Sequence, residues 1–497
     1  MDNMAIFDIS QLADQNPWWI DKQNIERDAK IKGLNEVEYQ WDPHIKHYIG
    51  LDHDVIYSIR GPRQVGKTTL VKMVIRALLF ERGIPPENIF FWSLERNTKD
   101  DLNKLVDTYL NWKLPTDDRR YIFLDEISSI ENWARELTYF ANSNRFENCT
   151  VVVTGSHAMD MKHSTELMPG RRGGVDDEPL DKILMPMKFS EFVGLLNPNI
   201  KKRIFDLEVA NTKRRQDMIL NLFSGTIDQT LDDLHILKTE LDGLLDLYLL
   251  TGGLPSVINE LKMNGKISTR LYNVYLTAIL GDLNRFRYKD IFFKQIMREI
   301  YKVLSNPITY NSFTESTEIR SHNTVQEYIL ALEELYIANV SYKISIHDGK
   351  IKTSNNKKIY ILDPFIFHAL HGWANNRRDY FGNAKSNLLN TEFKSQLMEC
   401  VVYNHLCRFA YGLNPRDLFD PKDAICYYRD KKQKEIDFIL RFDERYYPFE
   451  LKYQSTISNS DFFNFRSFGK GVLITRNDMG KHRNYVKIPV SLLLLLI

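Results

Sequence analysis

Net charge is nearly absent from this chain: 66 Lys and Arg face 65 Asp and Glu, a formal balance of +1. No global field therefore advertises nucleic acid or an anionic surface as a partner, and any basic contact has to be local. Cysteine is scarce too. Cys149, Cys400, Cys407 and Cys426 form no CxxC pair, which excludes a zinc ribbon or disulfide framework and fits core thiols in a reducing compartment. Long apolar runs are missing. The Leu493–Ile497 run is far too short to span a bilayer and reads as a terminal strand or helix tucked into a core. The opening Met1-Asp2-Asn3-Met4 lacks the basic-then-apolar order of a signal peptide. No repeats stand out. The expectation is a cytoplasmic protein with no membrane partner, and 497 residues suffice for three or more domains.

Against that plain background, Gly61-Pro62-Arg63-Gln64-Val65-Gly66-Lys67-Thr68 is a complete G-x-x-x-x-G-K-[ST] phosphate loop. Val55–Ile59 before it reads as a buried strand, and Thr68–Ile75 after it suits an amphipathic helix. The glycines let successive backbone N–H groups turn toward phosphates, and the helix N-terminus adds partial positive charge. Lys67 is expected to reach the β- and γ-phosphates of ATP and the Thr68 hydroxyl to bind Mg²⁺, with Thr69 completing the loop. Arg120–Glu126 then supplies four apolar residues and two carboxylates at a strand end. In this Walker B pattern Asp125 would hold Mg²⁺ and Glu126 would polarise the attacking water. A third strand, Thr150–Val153, runs into Thr154-Gly155-Ser156, and Thr154 is placed to sense the γ-phosphate. Farther on, Arg171-Arg172 lies in a glycine-rich stretch. Arg171 is either an arginine finger for a neighbouring copy or part of a solvated basic loop.

Strand and helix patterns alternate from about Asp54 to Pro186, as in a parallel sheet covered on both faces. Before them, Asn16-Pro17-Trp18-Trp19 reads as a packing clamp. A helix-rich stretch follows to about Leu304 and suits a lid over the nucleotide. Two helices around Ile308–Phe313 and Ser321–Leu332, then paired strands near Val340–Ile346 and Ile359–Leu362, resemble a winged helix. Its exposed Gln326, Glu327, Glu333 and Glu334 are unlike a basic DNA-reading face. Lys350–Lys358 reads as a hairpin tip and Gly372–Ser386 as a linker.

The last stretch holds a second constellation. Lys434–Leu440 and Tyr446–Lys452 are strand-like around a turn at Asp443-Glu444-Arg445, so that Asp437 and Glu450 can converge across a hairpin. Glu450 and Lys452, two apart, share a face, and Glu399 opens an upstream helical pattern. Carboxylates plus a lysine suit metal-dependent phosphodiester hydrolysis. Glu399, Asp437 and Glu450 would hold Mg²⁺ or Mn²⁺ while Lys452 orients water. The D-(x)₁₂-E-x-K spacing resembles the PD-(D/E)XK nuclease signature; a charged surface hairpin is the plainer alternative.

Several of these segments together resemble the archaeal and bacterial AAA-type ATPases that carry a C-terminal domain of unknown function. They are Asn16–Trp19, Gly61–Thr69, Tyr121–Ile127, Val153–Ser156, Gly170-Arg171, Phe189–Phe192, Gly252–Pro255 and Tyr360–Pro364. The Met159–Leu184 insert and the charged Asn197–Leu237 stretch are longer than that pattern. The resemblance implies an α/β chain with an AAA-type P-loop NTPase parallel-sheet core, a helical lid, a winged helix and a restriction-endonuclease-like α/β tail. The expected domains are a helical, Trp-bearing segment (1–50), the ATPase core (51–190), the lid (191–304), the winged helix (305–372) and the nuclease-like domain (385–497). The function expected is ATP hydrolysis coupled to an action on DNA, in a possible homo-oligomer, with metal-dependent cleavage by the tail. The alternatives are a nucleotide-operated switch, or a DNA translocase or branch-migration motor, in which the nuclease fold is only a binding module.

Overall fold

The computed structural model of the chain describes residues 8–112, 118–156, 161, 168, 175, 179–417 and 419–497. It divides into two units, Met1–Met185 and Pro186–Ile497.

The first unit is built on five strands: Ile56–Arg60 (β1), Ile89–Ser93 (β2), Arg120–Asp125 (β3), Cys149–Gly155 (β4) and Asp181–Ile183 (β5). They lie in the order β2-β3-β4-β1-β5, and every pairing is parallel. Parallel strands need covered faces, which explains their nearly continuous apolar runs. The helix Lys67–Phe80 (α1) packs Leu70, Val71, Val74 and Leu78 with Tyr57, Ile59 and Phe123 of the sheet. The helices Lys99–Trp112 (α2) and Trp133–Asn142 (α3) place Leu102, Leu105, Leu137 and Phe140 in a second core with Ile56, Ile122 and Val151. The order brings β3, β4 and β1 side by side, so their C-terminal ends gather at the middle of one sheet edge, where ligands of such sheets bind.

β2 ends the sheet, and an uncovered edge strand invites pairing with another chain. The segment Asn16–Trp19 closes it. Fully buried Asn16 accepts from the Phe91 N–H (2.7 Å) and donates to the carbonyls of Phe91 (2.9 Å) and Leu12 (2.8 Å). Trp18 and Trp19 both donate their indole N–H to the Ile89 carbonyl, at 3.0 and 2.8 Å. The adjacent tryptophans thus act as a clamp through hydrogen bonds as well as area.

The second unit is centred on eight strands: Ala338–Ile344 (β6), Ile351–Ile361 (β7), Ile425–Arg429 (β8), Glu435–Phe442 (β9), Arg445–Lys452 (β10), Gly471–Thr475 (β11), Gly480–His482 (β12) and Tyr485–Pro489 (β13). Their order is β12-β13-β11-β10-β9-β8-β6-β7. The hairpin expected to be the wing of a separate winged helix, β6–β7, is therefore the end of this sheet, joined through the parallel contact of Lys343 with Tyr427. The polar run Lys350–Lys358 is no hairpin tip. It forms most of β7, because its neighbours on β6 and the burial of Lys357 and Lys358 outweigh its poor strand composition. Nor is Gly372–Ser386 an irregular linker, since helices Pro364–Ala374 and Tyr380–Leu389 occupy most of it.

Helices of the expected lid belong to this second unit. Lys238–Thr251 (α4) packs on Pro364–Ala374 (α5) and on the C-terminal helix Val490–Leu496 (α7), whose leucines are all buried. Between α5 and α7 in the chain lies the long helix Thr391–Leu413 (α6), whose His405 is fully buried. Its Nε2 accepts from the Phe189 N–H (2.8 Å) and its Nδ1 lies 2.8 Å from the Val401 carbonyl, and burial pushes its pKa down to about 3, keeping the ring neutral. Among the described residues no single helix is long and apolar enough to cross a membrane.

Asn16→Ala should leave the Phe91 N–H and carbonyl at the sheet edge without partners. Thermal or denaturant unfolding is expected to show a loss of about 2–6 kcal/mol in the first unit, from about 1–3 kcal/mol for each of the two unsatisfied groups. An unchanged midpoint would mean that the clamp contributes nothing.

Candidate active site

Gly61–Gly66 joins β1 to α1. The turn needs its glycines: a Cβ on Gly61 would meet the Leu184 carbonyl oxygen at 2.1 Å, and Gly66 sits at φ 106°, a conformation that favours glycine. Val65 is buried beneath the loop, while Pro62, Arg63 and Gln64 are partly or well exposed. α1 starts with no side-chain cap at Gly66, so its positive end is presented at the loop. Lys67 is buried, its ammonium donating to the carbonyls of Gly61 (2.9 Å) and Pro62 (3.0 Å). Thr68 and Thr69 stand in the first turn of α1.

The acidic half meets this loop through hydrogen bonds. Asp125, at the end of β3, accepts from the Thr68 hydroxyl at Oδ2 (2.8 Å) and from the Thr154 hydroxyl at Oδ1 (2.5 Å). Burial raises the pKa of Asp125, with Glu126 adding to the rise; the bonds from Thr154 and Thr68 and the charge of Lys67 act against it. Glu126 has a left-handed backbone, φ 54° and ψ 41°. That conformation turns its N–H onto Thr154 Oγ1 (3.0 Å) and lets its carboxylate accept from the Ser156 hydroxyl at 2.8 and 3.2 Å. Lys67, Thr68, Asp125, Glu126 and Thr154 are thus brought together as the sequence suggested.

Thr154, expected to sense a γ-phosphate, gives its single hydroxyl proton to Asp125 in this arrangement. Ser156, two residues on, holds the Glu126 carboxylate, a contact not anticipated; the only signal for it was a second hydroxyl in the same strand-tip tripeptide. Arg171 lies outside the described residues.

The second constellation also assembles, but around a different partner. Asp437 and Glu450 face each other across the β9–β10 hairpin, and the Asp437 N–H donates to Glu450 Oε2 (3.3 Å). Glu450 Oε1 takes the Lys452 ammonium (2.7 Å) and the Asn464 amide (3.2 Å), while Asp437 Oδ2 accepts from the Leu451 N–H (3.0 Å). Glu399 projects from α6 into the same cluster. At the centre stands Lys358 of β7, 1% exposed, with its ammonium 3.1 Å from Glu399, 3.1 Å from Asp437 and 2.7 Å from Glu435. Tyr360, one pleat along, donates to Glu399 (2.9 Å). Burial raises the pKa of Glu399 to about 7 and that of Glu450 to about 8. For Lys358 burial acts downward, yet the attraction of Glu399, Asp437 and Glu435 carries its pKa upward. The carboxylates as placed do not fit Mg²⁺ or Mn²⁺, because an ammonium already lies among them. Among the described residues no three His, Cys, Asp or Glu side chains are placed to hold one metal ion. Lys358 was missed because Lys350–Lys358 read as a hairpin tip, and Tyr360 and Glu435, in segments read as strands, carried no expected role; the alternation of Lys358 and Tyr360 on one strand face was the available signal.

The glycine loop, the capless helix start and the two adjacent carboxylates at the end of β3 define an AAA-type P-loop ATPase domain. Residues 53–193 match a family described as an AAA domain. Two families described only as domains of unknown function match residues 242–377 (DUF8612) and 394–493 (DUF4143). A relative, the uncharacterized protein MJ1544 of Methanocaldococcus jannaschii, is 23% identical over 444 residues, covering 88% of this chain and 81% of the relative. Among solved structures, the Walker-type ATPase Paby2304 of Pyrococcus abyssi is 14% identical with a TM-score of 0.38, covering 71% of this chain and 95% of that one. The Orc1 protein of Aeropyrum pernix in complex with DNA is 13% identical with a TM-score of 0.28, covering 71% and 95%. These likenesses are too loose to bear on mechanism.

Ser156→Ala should free the Glu126 carboxylate. ATP turnover is expected to fall roughly 10-fold through misplacement of the group that faces water, with nucleotide affinity unchanged. Steady-state kcat beside equilibrium nucleotide binding checks it; equal loss in both would mean that Ser156 only supports the fold.

Proposed function

We propose that the chain binds ATP in the first unit and hydrolyses it at the ends of β1, β3 and β4. The observation that carries this is the convergence of the Gly61–Thr69 loop, Asp125 and Glu126, linked by the bonds from Thr68 and Thr154 to Asp125. Lys67 is within one side-chain swing of the loop interior and would exchange its two carbonyl partners for phosphate oxygens. The N-terminus of α1 would hold the same anionic group. Glu126 would orient the attacking water and take its proton. The oxygen donors of Thr68 and Asp125 suit a hard cation such as Mg²⁺, which would supply charge neutralisation at the phosphates when bound.

For the output of the cycle, a nucleotide-operated switch fits better than a nuclease, because the cluster in the second unit encloses a lysine where a nuclease would hold metal. An action on DNA has local support in Lys201-Lys202-Arg203 and Lys213-Arg214-Arg215, on neighbouring helices. Much of that charge is matched by acids: Arg203 by Asp233, Lys213 by Asp217 and Arg214 by Glu208, at 3.9, 3.7 and 3.4 Å. Exposed pairs of this kind are weak and yield readily to a phosphate backbone. DNA or a second copy of the chain therefore stands as the partner class to test.

Two variants separate binding from chemistry. Lys67→Ala should weaken ATP binding at least about 10-fold, or about 1.4 kcal/mol. Glu126→Gln should retain ATP and lower turnover roughly 100-fold or more. Fluorescent-nucleotide titration and phosphate release read the two effects; full turnover by Glu126→Gln would defeat the assignment.

A further inference from the structure

The geometry points to Lys358 as the resident cation of the second unit's acidic cluster, standing where a divalent ion would bind, so that this cluster takes no metal and the tail acts without phosphodiester chemistry. A lysine ammonium has three protons and no accepting capacity. Lys358 has three carboxylate partners, one each from α6 (Glu399) and two positions of β9 (Glu435 and Asp437), all within 3.1 Å. Its exposure of 1% means that water supplies little of its solvation, and a buried charge is kept only when paired and hydrogen-bonded.

Several of the remaining oxygens are engaged as well. Asp437 Oδ2 is held by the Leu451 N–H, Glu450 by Lys452, Asn464 and the Asp437 N–H, and Glu435 Oε2 lies 3.7 Å from Arg429. A hard cation binds by gathering carboxylate oxygens at about 2.0–2.6 Å; here Lys358, Lys452, Asn464 and the Leu451 and Asp437 N–H groups lie on those oxygens at hydrogen-bond distance. Lys358 also comes from β7, far from Glu399 and Asp437 in sequence, and lies over the Tyr427 ring at 5.7 Å. The ammonium is thus a tie between the β6–β7 hairpin and the α6–β9–β10 cluster, filling the role a metal has in joining distant ligands.

This reading does not depend on ATP hydrolysis by the first unit, and its test silences that unit. In the full chain carrying Asp125→Asn, Mn²⁺ binding would be counted by electron paramagnetic resonance, and the melting temperature followed with and without Mn²⁺. With Lys358 present, no binding that depends on Asp437 is expected, and Mn²⁺ should leave the melting temperature unchanged. Lys358→Met should gain a Mn²⁺ site roughly 100-fold tighter than any residual binding, with a rise in melting temperature on adding Mn²⁺; Glu399→Gln should remove that gain. Tight Mn²⁺ binding with Lys358 present that is lost in Asp437→Asn would overturn the proposal, whether or not Lys358→Met folds. A folded Lys358→Met that binds no Mn²⁺ would also overturn it.

Discussion

The carboxylate of Asp125 is the point on which the nucleotide site depends. Both its oxygens are bonded to hydroxyls from different elements, Thr68 on α1 and Thr154 on β4. Through Thr154 the link continues to the Glu126 backbone, and Ser156 holds the Glu126 side chain. The phosphate loop and the two carboxylates of the Asp125-Glu126 pair therefore share one network. The parallel order β3-β4-β1 makes this possible, since only adjacent strands place three C-terminal ends within reach of short side chains. Burial raises the pKa of Asp125, and these bonds together with the charge of Lys67 act against that rise.

The second unit applies a similar rule to a different end. Its acids are gathered with equal care, but the partner is an ammonium from the same chain. A buried charge with a full set of partners specifies one arrangement of the elements that carry it. Here those elements are β7, α6 and β9, so the hairpin once separable as a wing is bound into the sheet.

What the sequence made legible followed from local pattern. The phosphate loop, the apolar strand ending in Asp125-Glu126 and the E-x-K hairpin each show their residue types at fixed spacing, and all lie as read. The edge-closing role of Asn16 was not legible, because its partners on β2 are 75 residues away. Lys358 was hidden for a related reason. A polar run scores as a turn, and nothing local reveals that three carboxylates 41 to 79 residues distant will surround it. The lid was assigned from helical content, which carries no information about which unit the helices join; the apolar faces of α4 and α7 decide that by packing together.

The claim that Asp125, Thr154 and Glu126 work as one network is tested most directly by single-turnover ATP hydrolysis in Thr154→Val. Valine keeps the shape and removes the hydroxyl that joins the two acids. The expected result is a rate lowered roughly 100-fold at saturating ATP, with ATP affinity within a few-fold of the parent. An unchanged rate would contradict the account, since Asp125 and Glu126 would then act without their link.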